Sequence, residues 1–161
     1  MAACEDENEN SSNKNDGDTS FSVIHKKGDL FTCDFSESLA HCVSKDLRMG
    51  KGIATLFKQN FQGLSELKAQ AKDVGDVAVL KRDERFVYYL ITKSRYFDRP
   101  TYETLEDSLK AMKTHCVTNN VKALSMPKIG CGLDKLEWDQ VEAILTRLFQ
   151  DTGIVITIYS F

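Results

Sequence analysis

Leu124-Ser125-Met126-Pro127-Lys128-Ile129-Gly130-Cys131-Gly132-Leu133-Asp134 is the stretch from which the rest of the chain is read. It begins as a short apolar run, the pattern of a buried strand. Pro127 ends that run, because it has no N–H to give a sheet ladder. Gly130 and Gly132 then permit positive φ and allow a ligand to approach bare backbone. Downstream, Trp138, Val141, Ile144, Leu145, Leu148 and Phe149 recur at helical spacing. A glycine turn leading from a strand into a helix presents backbone N–H groups near a positive helix end, a means of holding phosphate. The same Gly-Cys-Gly also fits an ordinary tight turn, and local pattern leaves the two readings open.

Working outward, the segment before this strand carries Leu105, Leu109, Met112 and Cys116 at helical spacing, with Thr101 as N-cap and Asn119-Asn120 at the end. Val121–Met126 is the strand itself. Val77–Lys81 and Phe86–Thr92 are strands joined through Asp83-Glu84, and so short a link makes an antiparallel hairpin. Phe21–His25 and Ser38–Val43 are further strands. Arg48-Met49-Gly50-Lys51-Gly52-Ile53-Ala54 is a second Gly-x-Gly turn entering a helix with Ile53, Leu56, Phe57 and Phe61 on one face. Leu64–Lys72 is a short helix after Gly63. The last helix is expected to stop at Gly153 in the C′ position, before a final strand Ile154–Tyr159. Strands alternating with helices predict an α/β layered domain, and the hairpin makes its sheet mixed. Ligands of such sheets settle outside the carboxyl ends of the parallel strands. Both Gly-x-Gly turns are expected to leave strand ends, enter helices and face one crevice.

The chain has 161 residues and a net charge of −3. That length forms one domain with a core that needs no disulfide, and the acidic balance argues against a broad face for duplex nucleic acid. The five cysteines (Cys4, Cys33, Cys42, Cys116, Cys131) have no metal-ligand spacing, and neither do His25, His41 and His115. No metal or cofactor is expected. Reduced thiols in a cytosolic or nuclear protein fit this usage. No apolar run is long enough to span a membrane. Residues 1–20 are acidic and polar with little to bury, and read as a disordered tail ahead of a single domain, 21–161.

Several side chains are candidates for chemistry. Lys93 follows the apolar strand Phe86–Thr92. At the rim of a partly dry crevice an ammonium loses hydration, which favours the nucleophilic free amine; the alternative is a surface lysine. Asp134 either moves protons within the crevice or caps the last helix in a box with Glu137. Cys131 reads as a nucleophile or, better, as a small thiol that fits beside the backbone. Arg48 and Lys51 either meet phosphate or are solvated charges. Asp29 accepts a hydrogen bond from an exocyclic amine of a base or shapes the turn after Gly28.

Five ordered segments carry a resemblance. Lys27-Gly28-Asp29-Leu30-Phe31, Ala40-His41-Cys42-Val43-Ser44, Arg48–Ala54, Tyr88-Tyr89-Leu90-Ile91-Thr92-Lys93 and Leu124–Asp134 together resemble the macrodomain family, in its branch of terminal ADP-ribose protein glycohydrolases, which are also O-acetyl-ADP-ribose deacetylases. The likeness runs from Phe21 to Phe161. It implies a macrodomain with a mixed sheet of about six strands between helices. It implies that Asp29 and Leu30 recognise the adenine end of ADP-ribose and that Ser44 lies near the distal ribose. Lys128, Ile129, Gly130, Cys131, Gly132, Leu133 and Asp134 would wrap the pyrophosphate and distal ribose, and Phe161 would border the adenine. Where macrodomains usually carry Asn-Ala-Ala-Asn this chain has His41-Cys42-Val43-Ser44, so the lysine branch, with Lys93 and Asp134 as its catalytic pair, fits better.

The resemblance further implies removal of ADP-ribose from glutamate and aspartate side chains through a lysyl-ADP-ribose intermediate, with deacetylation of O-acetyl-ADP-ribose in the same pocket. The competing reading is a reader module that binds ADP-ribose or its polymer without cleaving it. Expected partners are ADP-ribosylated proteins, ADP-ribose and O-acetyl-ADP-ribose, bound by a monomer. The family also implies reversal of ADP-ribosylation in the DNA damage response, in the nucleoplasm and nucleolus with a cytoplasmic share.

Overall fold

The computed structural model describes residues 21–160; the acidic segment 1–20 and Phe161 lie outside the described residues. Strands β1 (Ile24–Lys27), β2 (Ser38–Ser44), β3 (Asp76–Arg82), β4 (Arg85–Lys93), β5 (Ala123–Met126) and β6 (Val155–Ser160) form one sheet in the order β1-β6-β5-β2-β4-β3. Every neighbouring pair is parallel except β3 and β4, which make the antiparallel hairpin expected from their two-residue link. The sheet is therefore mixed, as the sequence predicts.

Helices α1 (Ile53–Phe61) and α2 (Leu64–Ala69) cover one face, and α3 (Tyr102–Thr118) and α4 (Trp138–Phe149) the other. Their apolar stripes create two cores. Leu105, Leu109, Met112 and Cys116 of α3 join Val141, Leu145 and Phe149 of α4 against Tyr88, Leu90 and Ile156. Phe57, Phe61 and Leu67 cover Leu39, Val43, Leu80 and Tyr89 on the opposite face. Strand β4 is buried on both sides, which explains its nearly continuous apolar run. Each large apolar side chain fully removed from water stabilises by roughly 1.5–3 kcal/mol.

Thr101 caps α3 as predicted, in a reciprocal box with Thr104. The helix ends in a Schellman turn: Asn120 takes a φ of 58°, and Val121 N–H donates to Cys116 O at 2.9 Å. That turn uses Val121 and delays β5 to Ala123. Strand β1 starts at Ile24, later than Phe21, because only Ile24–Lys27 find partners on β6. Helix α2 ends at Ala69, before the expected Lys72. Gln70 is diverted to the outer strand, where its Nε2 donates to Val79 O at 2.7 Å and its Oε1 accepts from Val79 N–H at 3.0 Å. Gly153 is not the C′ residue of α4. The helix ends at Phe149 with Gln150 as C-cap, and Gly153, at φ 75°, serves the turn into β6.

Candidate active site

Five parallel strands bring their carboxyl ends to one margin of the sheet. That margin gathers Asp29 after β1, Ser44 at the end of β2, Lys93 at the end of β4, and residues 127–134 after β5. Ser44 and Lys93 are register partners across a bulge that follows Val43, and Lys45 N–H donates to Lys93 O at 2.8 Å.

Lys93 meets Asp134 there. Its Nζ donates to Asp134 Oδ1 at 2.5 Å, and the two side chains are only 13% and 16% exposed. A carboxylate held so close is the immediate acceptor for a proton leaving the amine. Asp134 does not cap α4: that helix starts at Trp138, with Glu137 as an N-cap that makes no side-chain bond. The Gly130-Cys131-Gly132 turn therefore does not run straight into a helix, since α4 begins only at Trp138. The Gly50-Lys51-Gly52 turn does enter one, with Gly52 as the N-cap of α1 at φ 63°.

The 127–134 loop is held by few bonds of its own. Cys131 N–H reaches Lys128 O at 3.2 Å, and Leu136 N–H reaches Gly130 O at 2.7 Å. Among the described residues, the N–H groups of Gly132, Leu133 and Asp134 find no protein acceptor, so they stand ready for an anion. Gly130 takes a φ of 74°, and a Cβ there would lie 3.0 Å from Leu136 Cδ1; a Cβ on Gly132 would meet open space. The two glycine turns do face each other: a Cβ on Gly52 would sit 3.5 Å from Leu133 Cδ1.

Asp29 is engaged in its turn. Its Oδ1 accepts from Phe31 N–H at 2.9 Å, which caps a single 3-10 turn, Leu30–Thr32, and leaves its other oxygen without a protein donor among the described residues. The Leu30 side chain is buried in the core beneath, so only its backbone faces outward. Ser44 Oγ donates to Asp46 Oδ1 at 2.5 Å. Cys131 is half-buried, its Sγ directed to Ile129 O at 3.4 Å; burial raises its thiol pKa, Lys128 draws it down to a smaller extent and Glu137 adds to the rise, which suits a packing thiol and not a nucleophile. Phe161 lies outside the described residues.

Two residues of the site went unnoticed in the sequence. Asp46 accepts from three donors: Ser44 Oγ, Arg48 N–H at 3.0 Å and Tyr96 N–H at 2.9 Å. Burial pushes its carboxyl up, but the hydrogen bonds and Arg48 outweigh it and hold the pKa below the usual carboxylate range. Asp46 thereby ties the loop after β2 to the loop after β4. Its signal was the Ser44-x-Asp46-x-Arg48 spacing, that of an aspartate folding back on its own turn. Cys42, on β2, sits in the field of Asp134, Cys131 and Lys93; burial first, then Asp134, push its thiol up, so it stays neutral.

A groove of about 450 Å³ opens elsewhere, beside β3 and α3, where Gln70, Val79 and His115 are among its lining residues. Its Lys72 and Asp76 stand 4.0 Å apart and are 40% and 43% exposed, where water screens them. The buried pair at the strand ends is the better chemical site.

A family model described as Macro domain matches residues 40–145. The human ADP-ribose glycohydrolase OARD1 is 56% identical over 138 residues, 86% of this chain and 91% of that protein, and the bovine protein of the same name matches equally. Among solved structures, the macrodomain of Mycobacterium tuberculosis DarG superposes with a TM-score of 0.76 at 23% identity, covering 86% of this chain and 97% of that one. Thermosipho africanus DarTG in complex with ADP-ribose gives 0.71 at 22% identity, over 84% of this chain and 41% of that one. At such identities the superpositions speak for the fold.

Proposed function

The chain belongs to the macro domain family, and from that membership we propose that it is an ADP-ribose glycohydrolase which frees protein glutamates and aspartates through a lysyl intermediate. The hydrolase reading rests on the 56% identity to curated ADP-ribose glycohydrolases over most of the chain. The observation that carries the mechanism is the 2.5 Å contact of Lys93 and Asp134 beside a loop of free N–H groups.

The diphosphate of ADP-ribose lies on the N–H groups of Gly132, Leu133 and Asp134, which fixes the distal ribose relative to Lys93. Asp29 and the Leu30 backbone meet the adenine, Ser44 approaches the distal ribose, and Lys128, Ile129, Gly130 and Cys131 shape the loop. Asp134 takes a proton from Lys93, and the free amine attacks the anomeric carbon. An N–C bond forms as the C–O bond to the protein breaks, and the electron pair leaves on the protein carboxylate. The ribose ring then opens to an iminium on Lys93 as its ring oxygen takes a proton from the attached nitrogen, while Asp134 passes the proton it holds to the departed carboxylate and becomes a base again. Water, deprotonated by Asp134, adds to that carbon; the C–N bond then breaks, returning the amine and releasing ADP-ribose. Splitting one displacement into two lower barriers is the gain of covalent catalysis. The acetyl ester of O-acetyl-ADP-ribose is a second substrate of the same pocket, and the nucleus is the proposed site of action.

The test is release of ADP-ribose from a glutamate-linked mono-ADP-ribosylated protein, with borohydride added during turnover. The expected result is release together with a reduced ADP-ribosyl adduct on Lys93. Binding of ADP-ribose with no release would make the protein a reader.

A further inference from the structure

Two arginine–aromatic stacks stand on the loops that follow β2 and β4. The Arg48 guanidinium carbon lies 4.3 Å from the Tyr96 ring centroid, and that of Arg95 lies 4.8 Å from Phe97. The two rings meet edge to face at 5.3 Å. Tyr96 is 46% exposed and Phe97 64%. Large aromatic side chains grouped in solvent mark an interaction surface. This rim is also held in place, because Asp46 accepts from both Arg48 N–H and Tyr96 N–H as well as from Ser44. The stacks are therefore anchored to the strand ends that carry Ser44 and Lys93.

A guanidinium laid on a ring keeps its N–H edge outward and in plane, the geometry that meets a carboxylate with two bonds. Arg95 meets Asp98 through Nε at 3.6 Å, too long for a hydrogen bond, and its guanidinium makes no side-chain hydrogen bond among the described residues. The strand that ends in Lys93 continues directly into the rim. The rim begins two residues after Lys93, within reach of a polypeptide held at that lysine.

We propose that this rim binds the polypeptide bearing the ADP-ribose, through carboxylates that flank the modified one, and so favours acidic protein segments as substrates; the proposal rests on the hydrolase reading above. A nucleic acid fits less well. The chain carries a net charge of −3, and one face of each ring is already covered by a guanidinium, which reduces the surface for stacking bases.

The test uses two synthetic peptides, each with one ADP-ribosylated glutamate, flanked by Asp and Glu in one and by Ser and Gly in the other. Wild type is compared with Arg48→Gln/Arg95→Gln and with Tyr96→Ala/Phe97→Ala. Wild type should prefer the acidic peptide. Each double variant should lose about tenfold in kcat/KM on that peptide, mainly through KM, with the neutral peptide and ADP-ribose affinity unchanged; rim charges act on this scale. Equal losses on both peptides, or no preference in wild type, would overturn the proposal. So would single-stranded RNA that displaces the acidic peptide at lower concentration than an unmodified acidic peptide does. Should neither peptide be hydrolysed although ADP-ribose binds, the hydrolase reading falls. The anisotropy of an unmodified acidic peptide then decides the rim by itself: weaker binding to the arginine double variant supports it, and no binding to wild type overturns it.

Discussion

Lys93 Nζ and Asp134 Oδ1 stand 2.5 Å apart across 41 residues of sequence, joined by the ends of β4 and of the loop after β5. Each side chain has the other as its charged neighbour in a place that water hardly reaches. Lys93→Ala should lower ADP-ribose release more than about a thousandfold, since it removes the proposed nucleophile and not a proposed binding contact. Calorimetry should find ADP-ribose bound within a few-fold of wild type. Asp134→Asn should slow turnover on the order of a hundred- to ten-thousandfold, the range of a lost general base. Full activity in either variant removes that residue from the proposed role.

The two glycines of the loop should separate stability from binding. Gly130 holds positive φ and has Leu136 against it, so Gly130→Ala should cost about 1–3 kcal/mol in denaturant unfolding. Gly132→Ala adds a methyl in open space and should change stability by less than about 0.5 kcal/mol. Its ADP-ribose affinity should nevertheless drop several-fold. Unchanged affinity would show that the diphosphate does not lie on this backbone.

Asp46 is a positioning residue, acting on Ser44 and on the loop after Lys93. Asp46→Ala strips the acceptor from three donors and should destabilise by about 1–3 kcal/mol. The depressed carboxyl has a pH signature. Its contribution is present above the ordinary carboxylate pKa of 3.8 and is lost as pH falls through the lower folded value. The acid limb of the stability profile should therefore be shallower in Asp46→Ala than in wild type, and identical limbs would deny the aspartate its hub role.

His41 predicts a second pH effect, at higher pH. Its ring stacks on Phe57 at 3.7 Å, and neither nitrogen has a hydrogen-bond partner among the described residues. Burial lowers its pKa to about 3 from 6.5. With the folded value below the unfolded one, the stabilisation is complete above about 6.5 and drains away as pH falls towards 3, on the order of several kcal/mol in all. Urea midpoints taken from about pH 7 to pH 4 should decline in wild type. His41→Leu should flatten that decline whatever its own stability. A slope that persists in the variant assigns the effect to another group.

The helices and the hairpin were legible because their signals are local. Leu105, Leu109, Met112 and Cys116 repeat at helical spacing and are all buried, and Asp83-Glu84 leaves no room for a crossover. Helix ends were less legible. Gln150 closes α4 three residues before the glycine expected to mark its stop, and Gln70 leaves α2 to bond a strand. No local pattern orders β6 between β1 and β5, because parallel pairing joins segments far apart in the chain. Lys93 and Asp134 were each ambiguous in isolation, a strand-end lysine and a capping aspartate. Only the resemblance of five segments paired them before the fold did. Cys42 was invisible as part of the site, since its charged surroundings come from the end of β4 and the loop after β5, both far away in the chain.

The pair of hydrogen bonds between the Gln70 amide and the Val79 backbone has a consequence for how the molecule meets its own copies. A bare outer strand is a template on which further chains can grow. Here one side-chain amide already plays the part of the next peptide, so an incoming strand must evict it before gaining either bond at Val79. Self-assembly along that flank is discouraged by a single residue, and Gln70→Ala would be the substitution that invites polymerisation.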